Sequence, residues 1–468
     1  NWCYSYLILS FNYKKHLPMI TTYLQQQSEH LKKIISALPK TSPKDFAYFV
    51  ERFYAKLPID DLLVLEPAVA IAMAKNAFEF MAQRSGGEPK IRIFTPDKKQ
   101  HGYEVKHVVL ELINDDMPFL VDSLTMELSR RGFIIYNTIH PIISISRDKN
   151  GKISAIGDKC EKKESFIHFE ISALPDGTEI DQLITDLEWI LQNVRASVAD
   201  WQKIVDKAKL TADSLRLYKK PVGTDSIDEV RDFLEWLVDK NFIFLGYAEY
   251  QFFDDKGKEV FAVIPDSKLG ILKVADEIAP RGIEAMPIEQ RHFLLVPQLI
   301  EITKSNRRSL VHRGVPMDYI GLKRFDKEGN VIGEVRFLGL FTSNVYYQST
   351  ESIPLIRRKV ARVLERSEFD PASHDGKSLK TILEFLPRDE IFQMSDDDML
   401  ETAMGILALE SKPVVRIFAR TDVFERFISF MIFIPRERFS TELRRQIQQI
   451  IERSYNGVSS SFSTQINE

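Results

Sequence analysis

One stretch restricts the possible folds more than any other: residues 105–132 pass from a β-rich run to a helical spacing across a single short loop. Val105–Ile113 is dominated by β-branched and apolar residues, and Asn114-Asp115-Asp116-Met117-Pro118 follows it. Phe119–Arg131 then carries Leu120, Val121, Leu124 and Leu128, the i, i+1, i+4, i+8 set of one helix face. An Asp just ahead of Pro118 predicts a helix start capped by Asp116. A carboxylate accepts the orphan N–H groups of a first turn, and a proline there has none to lose. Gly132 supplies the stop.

The following elements narrow the class. Phe133–Ile145 reads as one long strand, Asp148–Gly151 as a turn, Ser165–Ile171 as another strand and Ile180–Trp201 as a long helix. Strand–helix–strand–strand–helix is the order of a ferredoxin-like split βαβ unit short of its last strand. Residues 19–88 read as a helical segment, with apolar spacing over Tyr23–Ala37, the Ala-rich run Ala68–Met81, and a loop at Ser85–Pro89 as boundary. Residues 89–205 are then the first α+β domain.

Residues 225–345 read as a mixed α+β middle domain. It has a helix at Ile227–Asp239, strands at Phe242–Phe253 and Glu259–Ile264 about a turn at 254–257, and a hairpin of Tyr319–Phe325 with Val331–Phe341. Residues 346–411 form a helical connector of Pro354–Arg366, Ser378–Leu386 and Asp397–Leu409. Residues 412–468 form a second small α+β unit: strands Val414–Arg420 and Arg426–Ile434, a helix capped by Ser440 through Arg453, a turn at Asn456-Gly457, and a strand Val458–Thr464. Residues 1–18 read as a leader upstream of a start at Met19. Their apolar run Trp2–Phe11 precedes Lys14 and Lys15, the reverse of a signal peptide's charge order. The chain reads as cut at Glu468 rather than finished.

Composition excludes some classes. With 63 Lys+Arg against 67 Asp+Glu, the net charge of −4 gives no bulk attraction to nucleic acid or anionic lipid. No run approaches the ~20 apolar residues of a membrane span. Two cysteines, Cys3 and Cys160, build neither a disulfide framework nor a Cys-based zinc site, and suit a reducing, cytoplasmic compartment.

Motifs for chemistry are sparse. No G-x-G-x-x-G, H-E-x-x-H or G-x-S-x-G occurs. Asp375-Gly376-Lys377-Ser378 imitates the end of a phosphate loop, but Pro371 stands where the loop needs Gly, and the stretch reads as a turn with a helix cap. His140, before Pro141, reads as a hydrogen-bonded structural histidine. His312 with Arg307, Arg308 and Arg313 reads as an interface or an anion cluster. Arg357, Arg358, Lys359 and Arg362 read as the outer side of an amphipathic helix. The loop Asn114, Asp115, Asp116, Met117, Pro118 and Phe119 stands above these, because a helix start offers unpaired N–H groups to a carboxylate while Asp115 or Asp116 meets an ammonium. Plain capping by Asp116 is the competing reading.

Several strings resemble one family. Asp115-Asp116-Met117-Pro118-Phe119-Leu120-Val121-Asp122-Ser123 with His140-Pro141 resembles the N-terminal ACT-type domain of the large NAD-dependent glutamate dehydrogenases. So do Phe242–Tyr247, Arg313–Tyr319, Ser373–Leu379, Leu386–Glu390, Arg416–Arg420 and Phe433–Phe439, in order from about residue 45 to the end. The resemblance implies tandem ACT-like units flanking the mixed middle domain, with a helical N-terminal segment. It implies the regulatory and assembly portion of a homo-oligomeric enzyme that oxidises L-glutamate with NAD, the catalytic domain lying C-terminal to residue 468. No catalytic or NAD-binding residue is then expected in this segment, and an amino-acid effector is. A stand-alone ACT-type sensor or scaffold is the alternative.

Overall fold

Alternation of apolar residues builds the first sheet and decides what covers it. The computed structural model describes residues 27, 29–175, 177–217, 226–255, 258–275, 281–296, 298–411, 414–459, 462 and 464. Helices α1 (Lys44–Tyr54) and α2 (Pro67–Met81) precede strand β1 (Lys90–Phe94), β2 (Val108–Asp115), α3 (Leu120–Arg130), β3 (Ile135–Ile139), β4 (Ile142–Arg147), β5 (Ile153–Ile156), β6 (Lys162–Ile171) and α4 (Ile180–Ser214). The sheet is antiparallel, in the order β1-β2-β6-β4-β5, with β3 also on β6. Leu110, Leu112, Ile167 and Phe169 point to the face covered by α3 and α4. Ile113 and Phe166, one residue out of phase, point to the face covered by α1 and α2. The helices upstream of Ser85 therefore form the second cover of this sheet.

The middle sheet is assembled the same way. After α5 (Ile227–Trp236) come β7 (Phe242–Asp255), β8 (Lys258–Val263), β9 (Ile300–Arg308), β10 (Pro316–Phe325) and β11 (Val331–Phe341), ordered β8-β7-β11-β10-β9. Two-residue strands at Arg281–Gly282 and Leu269–Gly270 join β8 and β7. Its core takes Ile204, Val205, Ala208 and Ala212 from α4, so one 35-residue helix serves two sheets. Helices α6 (Ile356–Arg366), α7 (His374–Phe385), α8 (Arg388–Gln393) and α9 (Asp396–Ser411) close that core. The hairpin β12 (Arg416–Thr421) with β13 (Ile428–Phe433) and helix α10 (Thr441–Tyr455) follow.

The α+β class and most element positions agree with the sequence. The structure differs from that reading at several elements. The strand expected over Phe133–Ile145 is two strands, because Pro141 has no N–H for the ladder. The helix expected to end at Trp201 continues to Ser214, since its apolar stripe continues through Ile204, Ala208 and Ala212. Strands β1, β5 and β9 and helix α8 are additional to the expected elements. β9 ends in Lys304, Arg307 and Arg308, a polar finish that resembles a loop. The described residues of 458–464 form no strand.

The basic face of α6 keeps Arg358 exposed, as an outer face does, while its other cations are engaged. Arg357 bonds Glu229 and Asp232, Arg362 bonds Asp396, and Lys359 donates to the carbonyls of Ile391 and Met394. Ser373 caps α7 at the Gly376 N–H, as the turn-and-cap reading holds. The proposed leader, Cys3 and the start of the Tyr23–Ala37 helix lie outside the described residues, as do Lys256 and Gly257 of the 254–257 turn. Residues 29–36 are helical. Among the described residues no helix is long and apolar enough to cross a membrane.

Candidate functional site

The loop Asn114–Phe119 divides its two carboxylates between different jobs. Asp115, the last residue of β2, lies between two guanidinium groups: Arg84 Nη1 at 2.9 Å and Arg195 Nη1 at 2.6 Å. Arg195 Nη2 also donates to Asn114 Oδ1 at 2.9 Å. Arg84 is only 3 % exposed and reaches Glu164 as well, which Arg147 clasps from the other side. Burial pushes the Asp115 carboxyl up, but hydrogen bonds from Arg195 and Arg84 and their charges outweigh it and hold it below the usual range. Asn114 and Asp115 are thereby consumed as structural groups.

Asp116 points the other way and does not cap the helix. Its N–H donates to the Lys163 carbonyl, and its carboxylate accepts from Ser165 Oγ at 2.7 Å. His140 Nε2 lies 3.1 Å from the same hydroxyl. A serine hydroxyl has one hydrogen, and that of Ser165 goes to Asp116, so the oxygen accepts from His140, which must carry its proton on Nε2. Burial lowers the His140 pKa against the opposing Asp116 charge, so the ring is neutral at neutral pH. The expectation of a hydrogen-bonded histidine holds.

The helix starts later than the sequence suggested. Phe119 occupies the N-cap position in the left-handed region, φ 72°, and no side chain caps α3. Its carbonyl accepts from both the N–H and the hydroxyl of Ser123. The N–H groups of Leu120, Val121 and Asp122 have no intrahelical acceptor. These residues belong to the wall of an open concavity of about 440 Å³ lined by Asp116 through Asp122 with His140 and Ile142. Val121, expected in the core, is half-buried at this wall. Glu127, read from its helix position as exposed or at an interface, is buried and bound by Arg130 and Arg131.

The Arg/His cluster of residues 307–313 packs against the start of α3 as an interface. His312, at φ 67°, presents Nδ1 to Asp122 Oδ2 at 2.9 Å, and its N–H donates to Ser123 Oγ. Its ring lies 5.2 Å from that of Phe119. Gly314 passes so close to α3 that an added Cβ would sit 2.7 Å from Met126 Sδ. The concavity is therefore lined by one carboxylate, Asp116, and by the helix-start residues Leu120–Asp122, with Asp122 drawn aside by His312. Arg84 and Arg195 carry no sequence signal for this role, because they come from 31 and 80 residues away, whereas His312, 190 residues from Asp122, stands out in sequence only as part of a basic cluster. Among the described residues no three His, Cys, Asp or Glu side chains converge as metal ligands.

Comparison with known proteins places this geometry. Residues 49–187 match the glutamate dehydrogenase ACT1 domain, residues 353–412 its helical motif 1, and residues 416–468 its ACT2 domain. An NAD-specific glutamate dehydrogenase of Halomonas elongata is 33 % identical over 453 residues, 95 % of this chain and 28 % of the relative. One from Pseudomonas aeruginosa is 34 % identical over 412 residues, 86 % of this chain and 25 % of the relative. One from Mycobacterium tuberculosis is 24 % identical over 409 residues, 85 % and 24 % respectively. This chain spans about a quarter of the length of these relatives.

Proposed function

The chain is homologous to the N-terminal ACT1, helical motif 1 and ACT2 region of the large NAD-specific glutamate dehydrogenases, and we propose on that premise that it is a regulatory and assembly module of such an enzyme. The carrying observation is that 95 % of this chain aligns with a relative of which it covers 28 %. The whole enzyme converts L-glutamate, NAD and water to 2-oxoglutarate, ammonia and NADH, serving amino-acid catabolism, with catalytic and NAD-binding residues in a region C-terminal to this one. The module works as a cytoplasmic homo-oligomer that contacts that region. The absent dinucleotide fingerprint supports this division of labour.

Its regulatory ligand is an α-amino acid seated in the concavity at Asp116–Asp122. The ammonium meets Asp116, and the carboxylate meets the N–H groups of Leu120–Asp122. Helix-start attraction contributes only about 0.3–1 kcal/mol, so affinity also draws on Asp116 and on the walls at His140 and Ile142. Thermal-shift measurement with each amino acid on the wild type and Asp116→Asn tests the site. A shift lost in the variant is expected, and a shift that persists unchanged moves the ligand elsewhere. Calorimetric titration with NAD tests the division of labour. No saturable binding tighter than about 100 μM, roughly −5.5 kcal/mol, is expected, and neither is turnover of glutamate.

A further inference from the structure

Strand β9 is where two parts of the C-terminal half seat on the middle sheet. Helix α8 places Ile391 and Phe392 in the same core as Ile300 and Ile302 of β9. The ACT2 hairpin reaches the strand as well. Arg426 donates to the Lys304 carbonyl and to Asn306 Oδ1, and Thr303 Oγ1 lies 3.1 Å from Asp422 Oδ1. Glu390 of α8 in turn accepts from Arg420 Nε and Ser429 Oγ of the hairpin, so helix and hairpin are also tied to each other.

At this seat lies a charge cluster with an unequal count. Lys304 and Asp318 are directly opposed cross-strand partners on β9 and β10. Lys304 Nζ lies 2.6 Å from Asp318 Oδ1 and 3.1 Å from Asp389 Oδ2 of α8. The other Asp318 oxygen accepts from the Phe341 N–H of β11 at 3.0 Å. The Tyr346 hydroxyl, in the turn after β11, lies 3.3 Å from both Asp389 oxygens. Arg313, the remaining charge near Tyr346, donates to the Phe341 carbonyl. Two carboxylates thus share one ammonium, and Asp318 is only 4 % exposed.

Water does not make up the imbalance at so enclosed a group. Burial pushes the Asp318 carboxyl up, Lys304 opposes the rise and Asp389 adds to it, and the outcome is about 6. Burial lowers the Lys304 ammonium, but the two carboxylates overcome it and keep it charged. Lifting α8 off β9 takes Asp389 away and admits water, which returns Asp318 toward the ordinary carboxylate value of about 3.9. The seated state therefore holds more protons than the lifted one between those two values, and acid favours seating.

We propose that the Asp318–Lys304–Asp389 cluster is a proton-operated latch, in which uptake of one proton tightens the seating of α8 and the ACT2 hairpin on β9 and its loss loosens it. The proton goes to Asp318, leaving Lys304 and Asp389 as a balanced pair. The hairpin follows the helix because Glu390 holds both Arg420 and Ser429. The latch uses no residue of the Asp116 concavity and stands or falls separately from it.

The test uses the whole 468-residue chain. Hydrogen exchange is followed by mass spectrometry on peptides covering α8 and β13 at pH 5 and pH 7.5, with rates divided by the intrinsic rate at each pH. Asp389→Asn leaves one carboxylate per ammonium, and Asp318→Asn removes the titrating group. Asp389 is partly exposed and its amide still reaches Tyr346, so this variant keeps the fold, which circular dichroism checks. Groups that titrate elsewhere, His168 among them, are common to all three proteins and cancel in the comparison. The ratio of protection at pH 5 to that at pH 7.5 should be about tenfold larger in the wild type than in either variant. An equal ratio in the wild type and Asp389→Asn, an equal ratio in the wild type and a folded Asp318→Asn, or wild-type protection that rises with pH overturns the proposal.

Discussion

Two adjacent aspartates, Asp115 and Asp116, differ by where the pleat sends them. Asp115 stays in the sheet register opposite Glu164 and is clamped by Arg84 and Arg195, whereas Asp116 opens toward the concavity. The loop was legible as special from the run of carboxylates before a proline. Which carboxylate was free was not, because that depends on arginines brought in by folding. Asp115→Ala should therefore act on stability rather than on ligand affinity. The half-exposed pair is screened and Arg84 keeps Glu164, so the cost is about 1–3 kcal/mol in urea melts. The Asp115 contribution is present above the ordinary carboxylate pKa and disappears as pH falls through the lower folded value. A variant as stable as wild type at neutral pH would remove Asp115 from this structural role. Leu124 is the simpler case. It is fully buried on the face its spacing predicted, so Leu124→Ala should cost ~2–5 kcal/mol, and a loss under ~0.5 kcal/mol would contradict that packing.

Elements show how a polar ladder is hidden inside an otherwise apolar sheet. Arg92, Glu111 and His168 sit in register across β1, β2 and β6, facing α1 and α2. Arg92 Nε and His168 Nδ1 bond the two oxygens of the fully buried Glu111, at 2.7 and 2.9 Å. Glu170 lies 3.9 Å from His168 Nε2, and Phe53 packs an edge against the ring. Burial lowers the His168 pKa, but the bond to Glu111 and the charge of Glu170 overcome it and lift the ring to about 9. The folded value exceeds the unfolded one of about 6.5, so this stabilisation is full below that pH and is lost as pH rises toward 9. Wild-type urea midpoints should fall over that interval, and His168→Gln should be less stable at about pH 6 yet nearly flat across it. Equal slopes for both proteins would assign the pH dependence to other groups. The strands of this ladder were partly readable from their β-rich runs. The ladder was not, because β1 carries too short a β-rich run to stand out and the partners are cross-strand neighbours rather than sequence neighbours.

At the scale of the whole molecule, α4 is the shared beam. Leu183, Leu187 and Val194 sit in the core of the first sheet, and Ile204, Val205 and Ala208 in that of the second. Between them Ser197 Oγ lies within hydrogen-bond distance of both the Asn193 carbonyl, at 2.9 Å, and the Leu245 carbonyl, at 3.3 Å, and Asp200 Oδ2 accepts from the Gly270 N–H. Gly270 has φ 61°, and a Cβ there would lie 2.1 Å from Leu245 O, so the two-residue strand at Leu269–Gly270 meets β7 backbone to backbone beneath the Asp200 side chain of α4. The loop at His312 adds a second tie through Asp122 and Ser123. The domain boundary drawn near residue 205 from sequence thus falls inside a continuous helix, because a stripe that buries two different cores looks the same along the chain as one that buries a single core. With this connection intact, the two sheets should unfold in one denaturant transition. Ala199 is exposed in the middle of the beam, so changing it removes no packing. Ala199→Pro deletes the bond to the carbonyl four residues earlier and kinks the helix at a cost of ~3 kcal/mol or more. Ala199→Gly weakens the same turn by only about 1 kcal/mol. The glycine variant should shift the midpoint and remain a single transition, while the proline variant should separate the melting of the two sheets. Two transitions in the wild type, or a proline variant whose melt is single with an unchanged midpoint, would show that the sheets are not coupled through α4.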